Sequence, residues 1–428
     1  MRWRAWIAAL VALGAMSAFP GASSAQAASS VQYGIEDDAW LQHGPGTLSS
    51  RIAELERLHV DIVRYTLHWD RIARRRPADA RDPDDRAYRW RTSDTVLNAL
   101  HKAGTSVVVT LVGTPSWANG GAPPNWAPNS ASTFASFASA AAARYPWIED
   151  WTIWNEPNLP AWLRPTTAGI YVSRLLNPGY AAIHTRIPDA LVGGGMTSPR
   201  GGAGGVSPVA WIRAMGKAKA HLDAYAHHPY PSRPQLDSPW GPACKRCSTI
   251  TMADLGRLLN EVQRAFGSKR IWLTEYGYQT NPPDQLLGVS PATQAQYVAS
   301  AARRVYLAPR VDMLIYYLVQ DDAEPTGWQS GLVTAEGLPK PAFTAFRLPL
   351  TEAGRTGDRV HLWGQVRAGS GQRPYRLRVL VAGRWSWLGP TRLTDARGFF
   401  AATVRATHGS FVQLWSPRDG AYSLELHV

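Results

Sequence analysis

The chain has 428 residues, of which 45% are hydrophobic and 18% are charged, and it contains two cysteines. This composition excludes a disordered acidic chain, a fibrous protein and a domain held together by several disulfides, while the length accommodates one large domain followed by a small one. The formal net charge is +13 at pH 7, but no nucleic-acid recognition motif accompanies it, so no nucleic acid is predicted as a partner.

The first 27 residues have the three parts of a secretory signal peptide. Arg2 and Arg4 precede an apolar run over residues 6–18, and small residues then lead to Ala25-Gln26-Ala27, a pattern typical of signal-peptide cleavage. The run is shorter than the ~20 residues that a membrane-spanning helix needs, although a retained anchor is the alternative. We therefore predict cleavage after Ala27, secretion, and no association with the membrane afterwards.

Short β-rich runs alternate with helical patterns from residue 31 to residue 348. The candidate strands cover residues 32–35, 62–67, 106–111, 150–154, 191–194, 222–226, 270–274 and 313–318. Helical patterns include residues 48–58, 130–145, 252–266 and 291–306, the last with Ser290 as N-cap and Pro291 at its first position. Strands separated by helices pair in parallel, and eight such units predict an α/β fold, a closed (β/α)8 TIM barrel. In such a barrel the loops that follow the strands form the active face.

A basic stretch lies early in the barrel region. Arg74-Arg75-Arg76 is followed by Asp79, Asp82, Asp84 and Asp85, and a run of mixed sign is typical of a solvated loop. Alternatively, the excess of positive charge would attract an anionic or cell-envelope glycan.

Cys244 and Cys247 form a C-x-x-C pattern in a stretch rich in Pro, Gly and Ser. In an exported protein this pattern favours a disulfide that closes a small loop. A thioredoxin-like redox pair would require a helix start after a strand, and a zinc site would require two more ligands nearby. We therefore predict a Cys244–Cys247 disulfide.

The pattern changes near residue 350. Residues 351–358 are polar and contain glycine, so we predict a linker there. Four alternating strands follow at 360–366, 375–381, 399–405 and 411–415, with no helix between them. This spacing predicts a small all-β sandwich over residues 355–428. Its tryptophans, Trp363, Trp385, Trp387 and Trp415, are compatible with a carbohydrate-binding module and with a stabilising appendage.

Two glutamates stand just past the ends of predicted strands. Glu156 lies in Trp154-Asn155-Glu156-Pro157 after the fourth strand, and Glu275 lies in Leu273-Thr274-Glu275-Tyr276 after the seventh. Side chains at these two strand ends are expected to meet over the mouth of the barrel. Hydrolysis of a glycosidic bond requires two such carboxyl groups, one to protonate the leaving oxygen and one to act at the anomeric carbon.

These two motifs, in this order, resemble the signature of the clan A glycoside hydrolases, which are (β/α)8 enzymes that retain anomeric configuration. The resemblance covers residues 31–348. It implies that Glu156 is the acid/base, that Glu275 is the nucleophile, and that Asn155 binds the sugar 2-hydroxyl. It further implies that Tyr230, in His228-Pro229-Tyr230, donates a hydrogen bond to the nucleophile, and that Arg64 lies beside it.

Other positions are similar to members near family 39. These are Thr114-Pro115-Ser116-Trp117 and Lys340-Pro341-Ala342. Trp117 is predicted to contact the sugar, with packing in the core or at the rim as the alternative. Many members of the clan carry Trp at the end of strand eight, whereas this sequence has Tyr316-Tyr317, so Trp328 in the following loop could substitute as the platform. Asp37 and Asp38 after strand one would either bind sugar hydroxyls or cap the loop.

The sequence therefore predicts a secreted, monomeric, retaining glycosidase that acts on a poly- or oligosaccharide through a glycosyl-enzyme intermediate. No cofactor is predicted. No metal is predicted either, because the adjacent His227 and His228 on a strand would point to opposite faces. The alternatives are a transglycosylase on the same scaffold and a non-catalytic protein that binds glycans or the cell wall.

Overall fold

The computed structural model describes residues 31–244 and 247–428, so the predicted signal peptide lies outside the described residues. The barrel strands are β1 (Gln32–Glu36), β2 (Ile62–His68), β3 (Ser106–Val112), β4 (Asp150–Ile153), β5 (Leu191–Thr197), β6 (Ala224–His227), β7 (Arg270–Leu273) and β8 (Val311–Tyr317). Neighbouring strands pair in parallel in chain order, and β8 pairs with β1, which closes the sheet. The predicted barrel is confirmed, and each predicted strand overlaps an observed one.

Helices connect these strands. They are α1 (Asp38–His43), α2 (Leu48–Leu58), α3 (Trp69–Ile72), α4 (Arg91–Lys102), α5 (Ser116–Asn119), α6 (Ala131–Arg144), α7 (Ala168–Tyr171), α8 (Asn177–Arg186), α9 (Pro208–Lys217), α10 (Leu255–Phe266), α11 (Pro291–Tyr306) and α12 (Pro341–Arg347). The Ser290 side chain accepts a hydrogen bond from the Thr293 amide, so the predicted N-cap of α11 is confirmed. In residues 31–244 and 247–428, no helix has both the length and the apolar character required to cross a membrane.

A compact apolar cluster fills the part of the barrel interior that lies away from the C-terminal ends of the strands. It consists of Ile62, Val108, Met196, Ala224, Ala226, Trp272, Met313 and Ile315. Glycines make room for these side chains, since a Cβ atom on Gly193 would lie 2.7 Å from the Trp272 ring. Polar side chains replace apolar ones farther along the same strands, so this cluster forms the floor beneath the cavity described below.

The remainder of the chain forms two antiparallel sheets. Their strands are β9 (Leu350–Thr356), β10 (Arg359–Gln365), β11 (Pro374–Val381), β12 (Arg384–Trp387), β13 (Arg392–Leu393), β14 (Phe399–Arg405), β15 (Phe411–Ser416), β16 (Ala421–Tyr422) and β17 (Leu426–His427). One sheet has the order β14-β10-β9, and the other contains β12-β11-β15-β16 with β13 and β17 paired at its margins. Apolar side chains of both sheets, including Leu362, Leu377, Phe400 and Leu414, share one core. The predicted sandwich is confirmed.

The linker predicted at 351–358 is wrong. Most of that segment is β9, which pairs with β10 through Thr351 opposite Trp363 and Thr356 opposite Arg359. A strand at the margin of a sheet is held by its backbone hydrogen bonds, so its polar and glycine-rich side chains did not reveal it.

The sandwich packs against the end of the barrel where the strands begin. Asp419 accepts hydrogen bonds from Arg347 Nη2 at 2.9 Å and contacts His59 Nε2 at 3.2 Å, and His59 lies just before β2. Phe399 packs on Tyr306, which ends α11, with ring centroids 4.5 Å apart. Among the described residues, those that line the cavity at the other end of the barrel all belong to the barrel part of the chain.

Cys244 and Cys247 are joined by a disulfide, with their Cα atoms 5.7 Å apart, so the predicted bridge is confirmed. The Cys244 amide donates a hydrogen bond to Asp254 Oδ1 at 2.9 Å. One end of the bridge is therefore attached to the start of α10.

Candidate active site

A cavity of about 590 Å³ opens where the barrel strands end. Every strand, or the loop after it, contributes to its wall: in chain order Glu36, Arg64, Val112, Glu156, Ser198, Tyr230, Glu275 and Tyr317. This is the face at which barrel enzymes carry their active sites.

The two glutamates singled out from the sequence meet in this cavity. One carboxylate oxygen of Glu156 and one of Glu275 lie within 4.8 Å of each other. His228 Nδ1 lies between them, 3.1 Å from Glu156 Oε1 and 3.5 Å from Glu275 Oε1. The structure thus brings together two acids that are distant in sequence, with one imidazole in contact with both.

The backbone around Glu156 is unusual. Trp154 and Glu156 both have positive φ values, 69° and 35°, a conformation that non-glycine residues rarely adopt. The loop is held by hydrogen bonds from Trp154 Nε1 to the Trp162 carbonyl at 2.7 Å and from the Leu159 amide to the Glu156 carbonyl at 2.9 Å. Backbone strain of this kind concentrates at functional sites, where the surrounding structure maintains it.

Arg64 organises the other side of the cavity. Its buried guanidinium donates from Nη1 to Glu275 Oε1 at 2.6 Å and to Glu36 Oε2 at 2.5 Å. Its Nη2 donates to Asn155 Oδ1 at 2.8 Å, and its Nε donates to Thr110 Oγ1 at 2.9 Å. One cation therefore orients a glutamate from β1, a glutamate from the loop after β7 and the amide next to Glu156.

The environment of Glu275 favours its ionised form. Burial by itself would raise the pKa of Glu275, but attraction to His228 and Arg64 and hydrogen bonds from Arg64 and Tyr230 outweigh it and hold that pKa below its usual value. The Tyr230 hydroxyl donates to Glu275 Oε2 at 3.1 Å, while burial raises the pKa of Tyr230 well above its usual value. Glu275 is therefore a carboxylate and Tyr230 a neutral donor over the physiological pH range.

Glu36 is a member of the site that was not predicted from the sequence. It is buried, pairs with Arg64, and lines the cavity. Burial raises the pKa of Glu36 well above its usual value. Its position in β1 could have indicated this role. Gly34 faces the barrel interior, and because side chains alternate along a strand, Glu36 lies on the same side.

The two aspartates that follow Glu36 have different roles. Asp37 caps α1 by accepting from the Trp40 amide at 2.9 Å, and it also accepts from the Val319 amide at 3.1 Å. Asp38 lines the cavity and accepts from the Thr66 amide at 3.1 Å, and burial raises its pKa to about 7. Both aspartates line the cavity. The loop-cap interpretation fits Asp37, and binding of a sugar hydroxyl by Asp38 stays a prediction.

The aromatic residues predicted as sugar contacts divide into two groups. Trp328 lines the cavity, remains 43% exposed, and lies 5.5 Å from Tyr230 and 5.4 Å from Tyr317 between ring centroids. Trp117 is not among the residues that line the cavity. Its indole donates to the Ala73 carbonyl at 2.7 Å, and its ring packs on Trp69 at 5.7 Å, so a sugar contact at Trp117 has no support in this geometry.

A metal ion must also be considered, because donor atoms of Glu156, His228 and Glu275 lie within 4.8 Å of one another. However, the Arg64 guanidinium already contacts Glu275 and would repel a second cation at that carboxylate. The donor set is therefore a poor fit for a metal ion.

Comparisons with known proteins place the fold. No protein-family profile matches the sequence, and no curated protein matches it. Among solved structures, a GH39 enzyme from Xanthomonas axonopodis pv. citri has a TM-score of 0.57 at 18% identity, with 90% of this chain and 93% of that chain covered. A family 39 glycoside hydrolase from the gut symbiont Bacteroides cellulosilyticus WH2 has a TM-score of 0.56 at 16% identity, with 90% and 80% covered.

A third match is CelM2, a bifunctional glucanase-xylanase from a metagenome library, with a TM-score of 0.50 at 13% identity and 90% and 95% of the two chains covered. At such identities the likeness shows the fold. The structural neighbours are glycoside hydrolases, so the predicted resemblance is confirmed at that level.

Proposed function

We propose that the chain is a secreted glycoside hydrolase that cleaves O-glycosidic bonds with retention of anomeric configuration. The observation that carries the proposal is the pair of carboxylates, with oxygens of Glu156 and Glu275 within 4.8 Å of each other. Retaining enzymes hold their two carboxyl groups about 5–5.5 Å apart, whereas inverting enzymes leave about 6.5–9.5 Å for a water molecule. The likeness in fold to glycoside hydrolases supports the same reaction class.

Glu275 is the nucleophile in this proposal. Its ionised carboxylate attacks the anomeric carbon, the glycosidic C–O bond breaks, and a covalent glycosyl-enzyme forms. The contacts from Arg64 Nη1 and the Tyr230 hydroxyl keep the attacking carboxylate oriented before the reaction. Glu36, which shares Arg64 with Glu275, is a positioning residue.

Glu156 is the acid/base. It transfers its proton to the leaving oxygen in the first step, and it then takes a proton from the water that attacks the glycosyl-enzyme. The nearby His228 orients this carboxyl group through its Nδ1 contact. The two half-reactions return both glutamates to their starting states, so the cycle requires no cofactor.

Substrate binding uses the rest of the cavity wall. Asn155, held by Arg64, is placed to bind the sugar 2-hydroxyl, and Trp328 is placed to stack on a sugar ring. We assign catalysis to the barrel, residues 31–348, and an accessory role to the sandwich, residues 355–428 with β9. Secretion and a monomeric state are part of the proposal, and the Cys244–Cys247 disulfide is consistent with an oxidising compartment.

The test is a screen of aryl glycosides and of plant and bacterial polysaccharides, followed by NMR of the first product formed. We expect hydrolysis of at least one substrate with retained configuration, and no hydrolysis by Glu275→Gln. Glu54→Gln, on the outer surface of α2, is the matched control and should have normal activity. An inverted product would contradict the retaining mechanism.

Two other functions remain to be separated by the same screen. A transglycosylase would transfer the sugar to an added acceptor and release little free sugar. A non-catalytic glycan-binding protein would bind a polysaccharide without cleaving it, but that function gives no reason for an ionised Glu275 to face a second carboxyl group.

A further inference from the structure

The outer surface of one sandwich sheet carries a group of aromatic and arginine side chains. Along β11, Leu377 and Val379 point into the sandwich core, so the alternating residues Arg376 and Arg378 point away from it. Cross-strand pairing places Trp387 opposite Arg378 on one side and Trp415 opposite Arg376 on the other. These positions all lie on the outer face of the sheet.

We name this surface the aromatic–arginine face, formed by Arg376, Arg378, Trp385, Trp387, Trp415 and Tyr422. Its side chains are layered. The Arg376 guanidinium lies 4.0 Å from the centre of the Trp387 ring, and that of Arg378 lies 4.4 Å from the Trp385 ring and 3.6 Å from the Tyr422 ring. The rings of Trp415 and Tyr422 are 4.5 Å apart.

This layering places aromatic and guanidinium groups against one another at the surface of the sheet. Trp387 remains 42% exposed although a guanidinium covers part of it. The Arg378 guanidinium is oriented by hydrogen bonds from its Nε and Nη2 to Gln413 Oε1, and these two contacts do not use Nη1.

The face also lacks a counter-charge. Within the described chain, neither Arg376 nor Arg378 forms an ion pair, whereas Arg57, Arg144 and Arg270 each pair with a carboxylate. Residues 350–428 contain eleven Arg, no Lys and five acidic residues, a formal net charge of +6. Two unpaired guanidinium groups on a basic domain favour an anionic ligand.

We propose that the aromatic–arginine face binds an anionic polysaccharide, with sugar rings stacked on the exposed tryptophan and sugar carboxylates paired with the two arginines. Aromatic rings bind the flat faces of pyranose rings, and guanidinium groups bind carboxylates through paired N–H donors. The choice of a polysaccharide over another polyanion rests on the proposed function, since a barrel that cleaves glycans gains from an attached domain that holds the polymer.

The test is affinity electrophoresis of the full chain in gels that contain polygalacturonate, with its carboxyl-reduced neutral form as the matched polymer. We expect retardation by the anionic polymer alone. Trp387→Ala and Arg376→Gln should each weaken binding by about tenfold, the size of loss seen when a central interface residue is removed. Salt at about 1 M should weaken it further by screening the arginines.

Arg405→Gln is the control variant, because it removes one positive charge from an exposed side chain on β14, in the other sheet. Its binding should equal that of the wild type. Equal losses for Arg405→Gln and Arg376→Gln would overturn the proposal in favour of non-specific attraction. If Trp387→Ala lowers the melting temperature but leaves binding to polygalacturonate unchanged, the proposal is overturned, and the aromatic–arginine face only stabilises the sandwich.

Single-stranded DNA is the competing polyanion, since it also combines flat rings with negative charge. Tighter binding to an oligothymidylate than to polygalacturonate would overturn the proposal. The measurements are repeated with Glu275→Ala, so binding is read without hydrolysis. If the wild-type protein hydrolyses a glycan but does not bind polygalacturonate, this inference alone is rejected. If it binds polygalacturonate but hydrolyses no glycan, the proposed function alone is rejected.

Discussion

Arg64 links three polar residues of the cavity, so its removal has a defined electrostatic consequence. Without the guanidinium, the pKa of Glu275 rises, because attraction to Arg64 is part of what holds it below its usual value. A nucleophile with a raised pKa becomes ionised at a higher pH. Arg64→Gln should therefore shift the acidic limb of the kcat/KM profile toward higher pH as well as lower the rate.

The profile is measured with an aryl glycoside that the screen identifies. Arg213→Gln, which removes an ion-pair partner of Glu261 on the outer helices, is the control. It should leave the acidic limb of the kcat/KM profile at the same pH. An unshifted acidic limb in Arg64→Gln would mean that this arginine does not set the protonation of the nucleophile.

The two glutamates proposed as catalytic should respond differently to truncation. Glu275→Ala should abolish turnover, because no covalent intermediate can form. Glu156→Ala should retain part of its activity on a dinitrophenyl glycoside, which needs little protonation, and lose about 10²–10⁴-fold on substrates with poor leaving groups. Azide should accelerate Glu156→Ala and produce a glycosyl azide of retained configuration.

Azide with Glu275→Ala should instead yield the inverted glycosyl azide. The products are distinguished by NMR coupling constants at the anomeric carbon. A retained azide product from Glu275→Ala would show that the two roles are exchanged.

Some residues of the cavity could be predicted from the sequence and others could not. Glu156 and Glu275 were found because each stands in a distinctive short motif directly after a strand. Glu36 is not predicted because it is the first of three acids in a row that all line the cavity. Only the strand period distinguishes it as the one that pairs with Arg64. The sequence leaves Trp117 open between a sugar contact and packing, since it does not reveal that the indole donates to the Ala73 carbonyl.

At the scale of single elements, glycine in β1 is a packing requirement of the barrel. A Cβ atom on Gly34 would overlap the Ile315 side chain and the Ile62 carbonyl. Gly34→Ala should therefore destabilise the protein by about 1–3 kcal/mol, the usual cost of overpacking a core. Urea unfolding followed by tryptophan fluorescence measures the change.

Gly256 is the matched comparison, because it is exposed in α10 and a Cβ atom there would meet nothing within 4 Å. Gly256→Ala should stabilise the protein by about 0.5–1 kcal/mol, since alanine favours a helix over glycine. The same substitution is thus expected to have opposite signs at the two sites, and equal effects would contradict this interpretation of Gly34.

The elements that sequence patterns revealed were those with an apolar side to bury. The strands β10, β11, β14 and β15 alternate apolar and polar residues and are predicted from the sequence, whereas β9, β12 and the two-residue strands are not. The strands that the patterns do not predict are held mainly by backbone pairing with a neighbouring strand. Local pattern carries no information about such pairing.

At the scale of the whole molecule, Asp419 connects the sandwich to the barrel. Burial would raise the pKa of Asp419, but hydrogen bonds from His59 and Ser416 and the charge of Arg347 hold it below its usual value. A depressed pKa stabilises the folded state at pH values above the usual aspartate pKa, and this stabilisation is lost as the pH falls through the folded-state pKa.

Asp419→Ala should therefore cost about 3 kcal/mol near neutral pH, and the sandwich should unfold in a separate, earlier calorimetric transition. The difference in the free energy of unfolding between Asp419→Ala and the wild type should become smaller at acidic pH. Asp358→Asn, which affects an exposed pair with Arg405, should change little. A single transition at all pH values in Asp419→Ala would contradict this role.

The attachment of the sandwich has a consequence for redesign. His59 and Tyr306 hold it from positions that precede β2 and β8, while the loops around the cavity follow the strands at the other end of the barrel. Loops on the cavity side can therefore be lengthened or exchanged between barrels without altering the seam with the sandwich. The scaffold separates the part of the chain that can be diversified from the part that must be kept, which makes loop grafting a practical route to new specificities.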